Sequence, residues 1–296
     1  MKTKIYFTLF FQCFLSLALT AQYYNAQGEE TSCDCQDNKS ATPQQLTCYD
    51  YLQNSISFTC INGNKEGEEI SYYKSGAIKE KAFYKNGKKE GKEISYYESG
   101  AIQSKKNYNK GKQEGEEISY FESGAIASKG EYKDDKNQGK YIIYFESGAI
   151  QSIVFYKDGK TEGEGVLYYE SGIIRLKCFY KNDKLEGKYI NYYQSGAIAS
   201  NISYTAGKKE GEEITYYESG AIQSKKNYKN GIQEGEEISY FESGNMRVKH
   251  MYKNGIQEGE SIWYFESGAI NMKAIYKDGE NTGNITVYSE AQNIRE

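Results

Sequence analysis

The chain has 296 residues, a formal net charge of −4 and only 38% apolar residues, yet it carries 31 tyrosines, 30 glycines and one proline. Acidic and basic residues are interspersed rather than blocked. No positive stripe is left to neutralise phosphates, which argues against nucleic acid as a partner and against binding to anionic membrane lipid. So polar a chain would be disordered if its aromatics were scattered, because it would bury too little apolar surface to offset chain entropy. Here the aromatics recur at fixed intervals, so the chain reads as folded but thin.

At the N-terminus, Lys2 and Lys4 precede an apolar run from Ile5 to Leu19, followed by Thr20-Ala21-Gln22. This is the pattern of a secretory signal peptide over residues 1–21, with cleavage near Ala21. The run is interrupted by Gln12 and is short for a bilayer span. The expectation is an exported mature chain, secreted or held in the cell envelope (periplasm or cell surface in a bacterium). Residues 22–56 lack periodicity and read as an N-terminal cap. Export permits disulfides, and Cys33, Cys35, Cys48 and Cys60 are the disulfide candidates, with three pairings open. A metal site at Cys33-Asp34-Cys35 would lack histidine partners and the usual ligand spacing, so no metal is expected. Cys178 is left over and reads as a core or semi-buried thiol.

Residues 57–283 form nine repeats. A Ser-Gly pair recurs with glycine at 76, 100, 124, 148, 172, 196, 220, 244 and 268. A second glycine recurs at 67, 91, 115, 139, 163, 187, 211, 235, 259 and 283, every step being 24 residues without one insertion. Such a chain is built from units that contact their neighbours through one geometry. Counted from the second glycine as zero, position +3 is isoleucine (once Val166), +5 is always tyrosine, +11 is isoleucine except Met246, and +17 is tyrosine from Tyr84 to Tyr276. These odd offsets imply strands within each half-repeat. Glu-Ser-Gly and Lys-Asn-Gly both read as three-residue hairpin loops with a left-handed glycine, which would put all four positions on one apolar face. Asp135 and Asp183 replace the turn glycine in two repeats, as aspartate tolerates that conformation. Residues 284–296, with Tyr288 and Ile294 but no Ser-Gly, read as a degenerate C-terminal cap.

The unit Gly-x-x-Ile-x-Tyr-(Tyr/Phe)-Glu-Ser-Gly-x-Ile-x5-Tyr-x-x-Gly, seen clearly over Gly211 to Gly235, resembles the MORN repeat, in particular its bacterial variant form. The resemblance implies an all-β fold, an elongated single-sheet array of tandem β-hairpins. It also implies a protein-interaction or membrane-associated module, and for some bacterial variants an antitoxin.

Little in the chain points to catalysis. The one histidine, His250, has no sequence-adjacent base or nucleophile, and the glycines are spaced for turns rather than for cradling phosphate. No cofactor is expected. The glutamates of Glu66-Gly67-Glu68-Glu69 and its copies read as solvated turn charges rather than as calcium ligands. The candidate binding feature is position +6: Tyr73, Tyr97, Phe121, Phe145, Tyr169, Tyr193, Tyr217, Phe241 and Phe265. If +5 faces the apolar stripe, +6 builds one aromatic ring per repeat on the opposite face, either packed against lysine stems or offered to a repetitive partner. The expectation is therefore a non-enzymatic, exported scaffold for a protein partner. The alternatives are an envelope glycan binder using the aromatic row, or an antitoxin-type partner of a toxin.

Overall fold

The structure, a computed structural model, describes residues 23–24, 30–31, 35, 40–50 and 55–290. The signal segment, Cys33 and Ile294 lie outside the described residues. The described strands form one open antiparallel sheet in which, from Gln44 on, hairpin strands follow one another in chain order. Among the described residues no helix is long and apolar enough to cross a membrane.

Each repeat is one hairpin plus a connecting turn. In the second repeat, strands Gly91–Tyr96 and Ile102–Asn109 are joined by Tyr97 to Ala101. The Tyr97 amide donates to the Ala101 carbonyl at 2.8 Å, and the Gly100 amide donates to the Tyr97 carbonyl at 2.9 Å. Gly100 sits at φ +88°, where a side chain would be strained. This is the three-residue loop read from Glu-Ser-Gly, and it pairs Tyr96 with Ile102 as expected.

The second turn departs from expectation. Lys85 pairs with Lys88, so Asn86-Gly87 is a two-residue loop, with both residues at positive φ (51° and 72°). That is the turn whose twist matches flanking strands. The faces are set inside the preceding Ser-Gly hairpin, where Lys79 is left extra between the Ser71–Glu80 and Tyr72–Ile78 pairs and shifts the parity by one. Gly67 pairs with Tyr84 while Ile70 pairs with Lys81, three residues away along the same strand. The +3 isoleucines and +17 tyrosines therefore lie on opposite faces, and the single apolar stripe is split. The Lys105 ammonium lies 5.3 Å from the Tyr120 ring centroid, which places the +5 tyrosines on the isoleucine face. The +17 tyrosines instead share a face with the residues at +2 and +15.

That second face holds the thin core. Buried residues there are Glu69, Glu93 and Ser261 at +2, and Ala82, Cys178, Ile202 and Ala274 at +15. Two devices stack one repeat on the next. The carboxylate or amide before each zero glycine accepts the turn amide one repeat on, as in Glu66 to Asn86 and Glu210 to Asn230, both 2.7 Å. The third turn residue donates to the preceding hairpin, as in Gly87 to Lys65 at 3.0 Å. Asp135 and Asp183 hold the left-handed place at φ 66° as anticipated, and their carboxylates accept the Gln113 and Thr161 amides at 2.7 Å.

At the start, strands Gln44–Asp50 and Ser55–Ile61 extend the same sheet. Phe58 and Cys60 occupy the +15 and +17 places of an earlier, degenerate unit. Both are fully buried, and Cys60 is bonded to Cys35. One of the three open pairings is thereby assigned, and a disulfide fills the place where the repeats put a tyrosine. Cys178 is a free thiol buried in the core, one of the two places expected for it. The final strand, Glu280–Val287, pairs with Ile270–Lys277 and closes the described array.

Candidate functional site

The sheet face that carries the core also carries the +6 rings. At each Ser-Gly hairpin the ladder shifts register, so that residue +12 is extra and lies beside +13 on the same side. Gln103 and Ser104 line one cavity together for this reason. The +6 ring lies against +12: the Lys79 ammonium is 5.9 Å from the Tyr73 ring centroid, and the Arg247 guanidinium 6.0 Å from that of Phe241. The expected opposition of +5 and +6 holds. The rings pack against cation stems and remain partly open to solvent.

The tyrosines of the row have a further role. Tyr73, Tyr97, Tyr169, Tyr193 and Tyr217 each donate a phenolic hydrogen bond to the carbonyl of the +5 tyrosine one repeat on, at 2.6–2.8 Å. Phe121, Phe145, Phe241 and Phe265 hold the same place without a hydroxyl, so the ring is the part common to all nine. All nine rings are half-buried.

Between successive rings the surface opens into clefts. One, of about 500 Å³, lies between Tyr97 and Phe121, and is lined by Ser95, Ser104, Ser119 and Gln103 with the Glu93 and Lys106 pair at its floor. The next lies between Phe121 and Phe145, with Tyr141 and Gln151 in its wall. A third, near the far end, is bounded by Phe241, Arg247, His250, Trp263 and Asn271. The hydroxyls at +4 and +13 pair across the strands, as in Ser95 to Ser104 at 2.7 Å and Ser119 to Ser128 at 2.6 Å.

The floor changes character along the array. In the early repeats it is ionic: Lys89 bonds Glu93 and lies 3.3 Å from Glu80, while Lys106 lies 3.7 Å from Glu93. Burial opposes the charge on Lys89, but the bond to Glu93 and the field of Glu80 outweigh it and hold the ammonium above its usual range. Burial and then the Glu69 carboxylate push the Tyr84 phenol far up. In the seventh repeat burial and Glu213 raise the Tyr228 phenol to about 12. In the middle repeats the same positions are apolar or aromatic, with Tyr141, Cys178, Tyr189 and Ile202 in place of the ions.

His250 has partners that sequence spacing could not show. Its Nδ1 is 3.0 Å from the Ser261 hydroxyl and 3.1 Å from the Gln257 amide nitrogen, and its ring meets Trp263 edge-on at 5.4 Å. A serine beside an imidazole would suggest a nucleophile, but Ser261 is wholly buried and also accepts a hydrogen bond from Gln257 at 2.8 Å, so its oxygen faces no substrate. Among the described residues no group of three or more His, Cys, Asp or Glu side chains is placed to hold a metal ion. The turn glutamates expected to be merely solvated are instead hydrogen-bonded to the next repeat.

Stacked hairpins with a periodic ring-and-cleft face define a repeat scaffold. The MORN repeat variant model matches residues 65–86, 89–110, 113–134, 137–158, 161–182, 209–230, 233–254 and 257–278, more than half of the chain. The chain belongs to that family. The unmatched sixth unit, Gly187–Tyr192 with Ile198–Thr205, folds like the others. No curated protein matches. Solved structures similar to the chain include the TcdB2-TccC3-Cdc42 crystal structure, at 11% identity and a TM-score of 0.19, covering 92% of this chain and 18% of that one. The Photorhabdus luminescens Tc holotoxin pore is also similar, at 11% identity and a TM-score of 0.19, over 93% of this chain and 18% of that one. The chain spans less than a fifth of either.

Proposed function

We propose that this protein is an exported, non-catalytic scaffold whose ring-and-cleft face binds a partner at the cell envelope or outside the cell. The observation that carries this reading is the pair of adjoining clefts between Tyr97, Phe121 and Phe145, on a face where Lys89, Glu93 and Lys106 are paired with one another. A rigid sheet carrying half-exposed aromatics at a fixed step offers contact area with little ordering cost.

The test is capture from envelope extract by the immobilised chain. Wild type is compared with a Phe121→Ala/Phe145→Ala variant and with Phe83→Ala/Phe179→Ala, which alters exposed rings off the cleft row. A component retained by wild type and by the Phe83 variant, but lost from the Phe121 variant, supports the reading. Equal capture by all three, or none by wild type, refutes it. Export is tested separately by fractionation of the native host with N-terminal sequencing. A cytosolic chain that keeps Met1 refutes that part.

A further inference from the structure

We infer that the clefts are subsites for an extended, neutral, β-1,4-linked polysaccharide, one disaccharide per repeat. This rests on the interaction-surface reading above and gives the partner a chemistry. The first argument is spacing. Two strands per repeat set neighbouring clefts about 10 Å apart, which is the rise of one disaccharide in an extended β-1,4-linked chain. Polymer recognition needs that step to stay constant, since any insertion would put later rings out of phase. The array keeps 24 residues throughout, without one insertion.

The second argument is the lining. Each cleft offers ring faces for the apolar C–H face of a hexose, beside hydroxyl and amide groups that donate and accept as sugar hydroxyls do. Ser95, Ser104, Ser119 and Gln103 supply these in one cleft, and Ser128 and Gln151 in the next. Charge disfavours acidic polymers in the first cleft: Lys89 and Lys106 pair with Glu80 and Glu93, which leaves Glu117 in excess, so a uronate chain would meet net repulsion there.

The third argument is the row itself. Four of its nine members lack the hydroxyl that ties neighbouring repeats, so that tie does not explain why an aromatic recurs there. Where the hydroxyl is present, it pins the ring in place before a ligand arrives. The far cleft carries the only tryptophan of the chain, Trp263, at the +4 place where most repeats have serine or threonine. Its emission reports occupancy of that cleft directly.

The full chain is mixed with microcrystalline cellulose and with chitin, with starch as the α-linked control. Soluble cellohexaose and chitohexaose are titrated against Trp263 emission. Retention on at least one β-1,4 polymer but not on starch is expected, with a saturable Trp263 shift for the matching oligomer. The Phe121→Ala/Phe145→Ala variant should bind about tenfold more weakly, Phe83→Ala/Phe179→Ala should bind as wild type, and Phe121→Trp/Phe145→Trp should keep binding. No retention on either polymer, or retention indifferent to Phe121 and Phe145, overturns the inference. Capture of a protein from polysaccharide-free extract that depends on Phe121, with the polymers ignored, removes the glycan and leaves the scaffold reading standing. Failure of both assays removes both.

Discussion

The ionic floor of the second repeat can be exchanged for the apolar floor of the sixth, because Lys89, Glu93 and Lys106 occupy the places of Leu185, Tyr189 and Ile202. The Glu93 side chain is only 4% exposed and stands between two lysines that are 27% and 30% exposed. Breaking a buried ion pair by removing one partner costs roughly 3–5 kcal/mol. Both lysines keep some solvent, and Lys89 keeps Glu80 at 3.3 Å, so about 2–3 kcal/mol is the discounted cost of Glu93→Ala. Replacing all three together, as Lys89→Leu, Glu93→Tyr and Lys106→Ile, leaves no unpaired charge and should be neutral or stabilising. In a repeat array, stability is local and whole-chain unfolding averages it away. The assay is therefore hydrogen exchange, read by mass spectrometry, over peptides spanning 89–110. Glu93→Ala should speed exchange there by about 30- to 150-fold and leave 209–230 untouched, while the triple variant should exchange no faster than wild type. If Glu93→Ala is silent, or the triple variant opens as readily as the single one, the ion pair is not what holds this repeat.

Three further outcomes follow from other parts of the fold. A Cβ on Gly130 would stand 2.3 Å from the Tyr141 ring, so Gly130→Ala should cost about 1–3 kcal/mol. Adding Tyr141→Glu, which recreates the Ala82 and Glu93 combination, should recover most of that in the same exchange assay, and no recovery would refute the steric account. Reduction of Cys35–Cys60, which closes a separation of 25 residues, should destabilise the first hairpin by about 3 kcal/mol. Exchange over 55–72 with and without reductant measures it, and an unchanged rate would show the packing of Phe58 to be sufficient alone. Burial chiefly, with Lys226, holds the His250 imidazole below its ordinary range against the pull of Glu237. Its neutral form is favoured in the fold, so this contribution is full above about pH 6.5 and is lost as pH falls below it. Burial pushes Glu237 up, but hydrogen bonds from Gln233 and Lys226 outweigh it, so its contribution too is lost on acidification. Trp263 emission should show a step centred below about pH 6.5, absent in His250→Gln; a midpoint above that value would reverse the sign.

The amino-acid sequence by itself determined the repeat, its 24-residue step, the strand character of each half and the Glu-Ser-Gly hairpin, because glycine spacing and a period of two are local properties. It also marked the +6 row, since a second aromatic beside an alternating one breaks the pattern visibly. The tertiary structure decided the faces. One extra residue beside each Ser-Gly loop, Lys79 or Gln103, changes parity by one, and that residue moves the +17 tyrosines to the side opposite the isoleucines. Three-dimensional stacking also decided the role of Glu66 and its copies, whose partners stand 20 residues on, in the next turn. It likewise brought His250, Gln257 and Ser261 together from neighbouring strands. Contacts between repeats leave no mark in the spacing within one, and they set both the order of the core and the shape of the clefts.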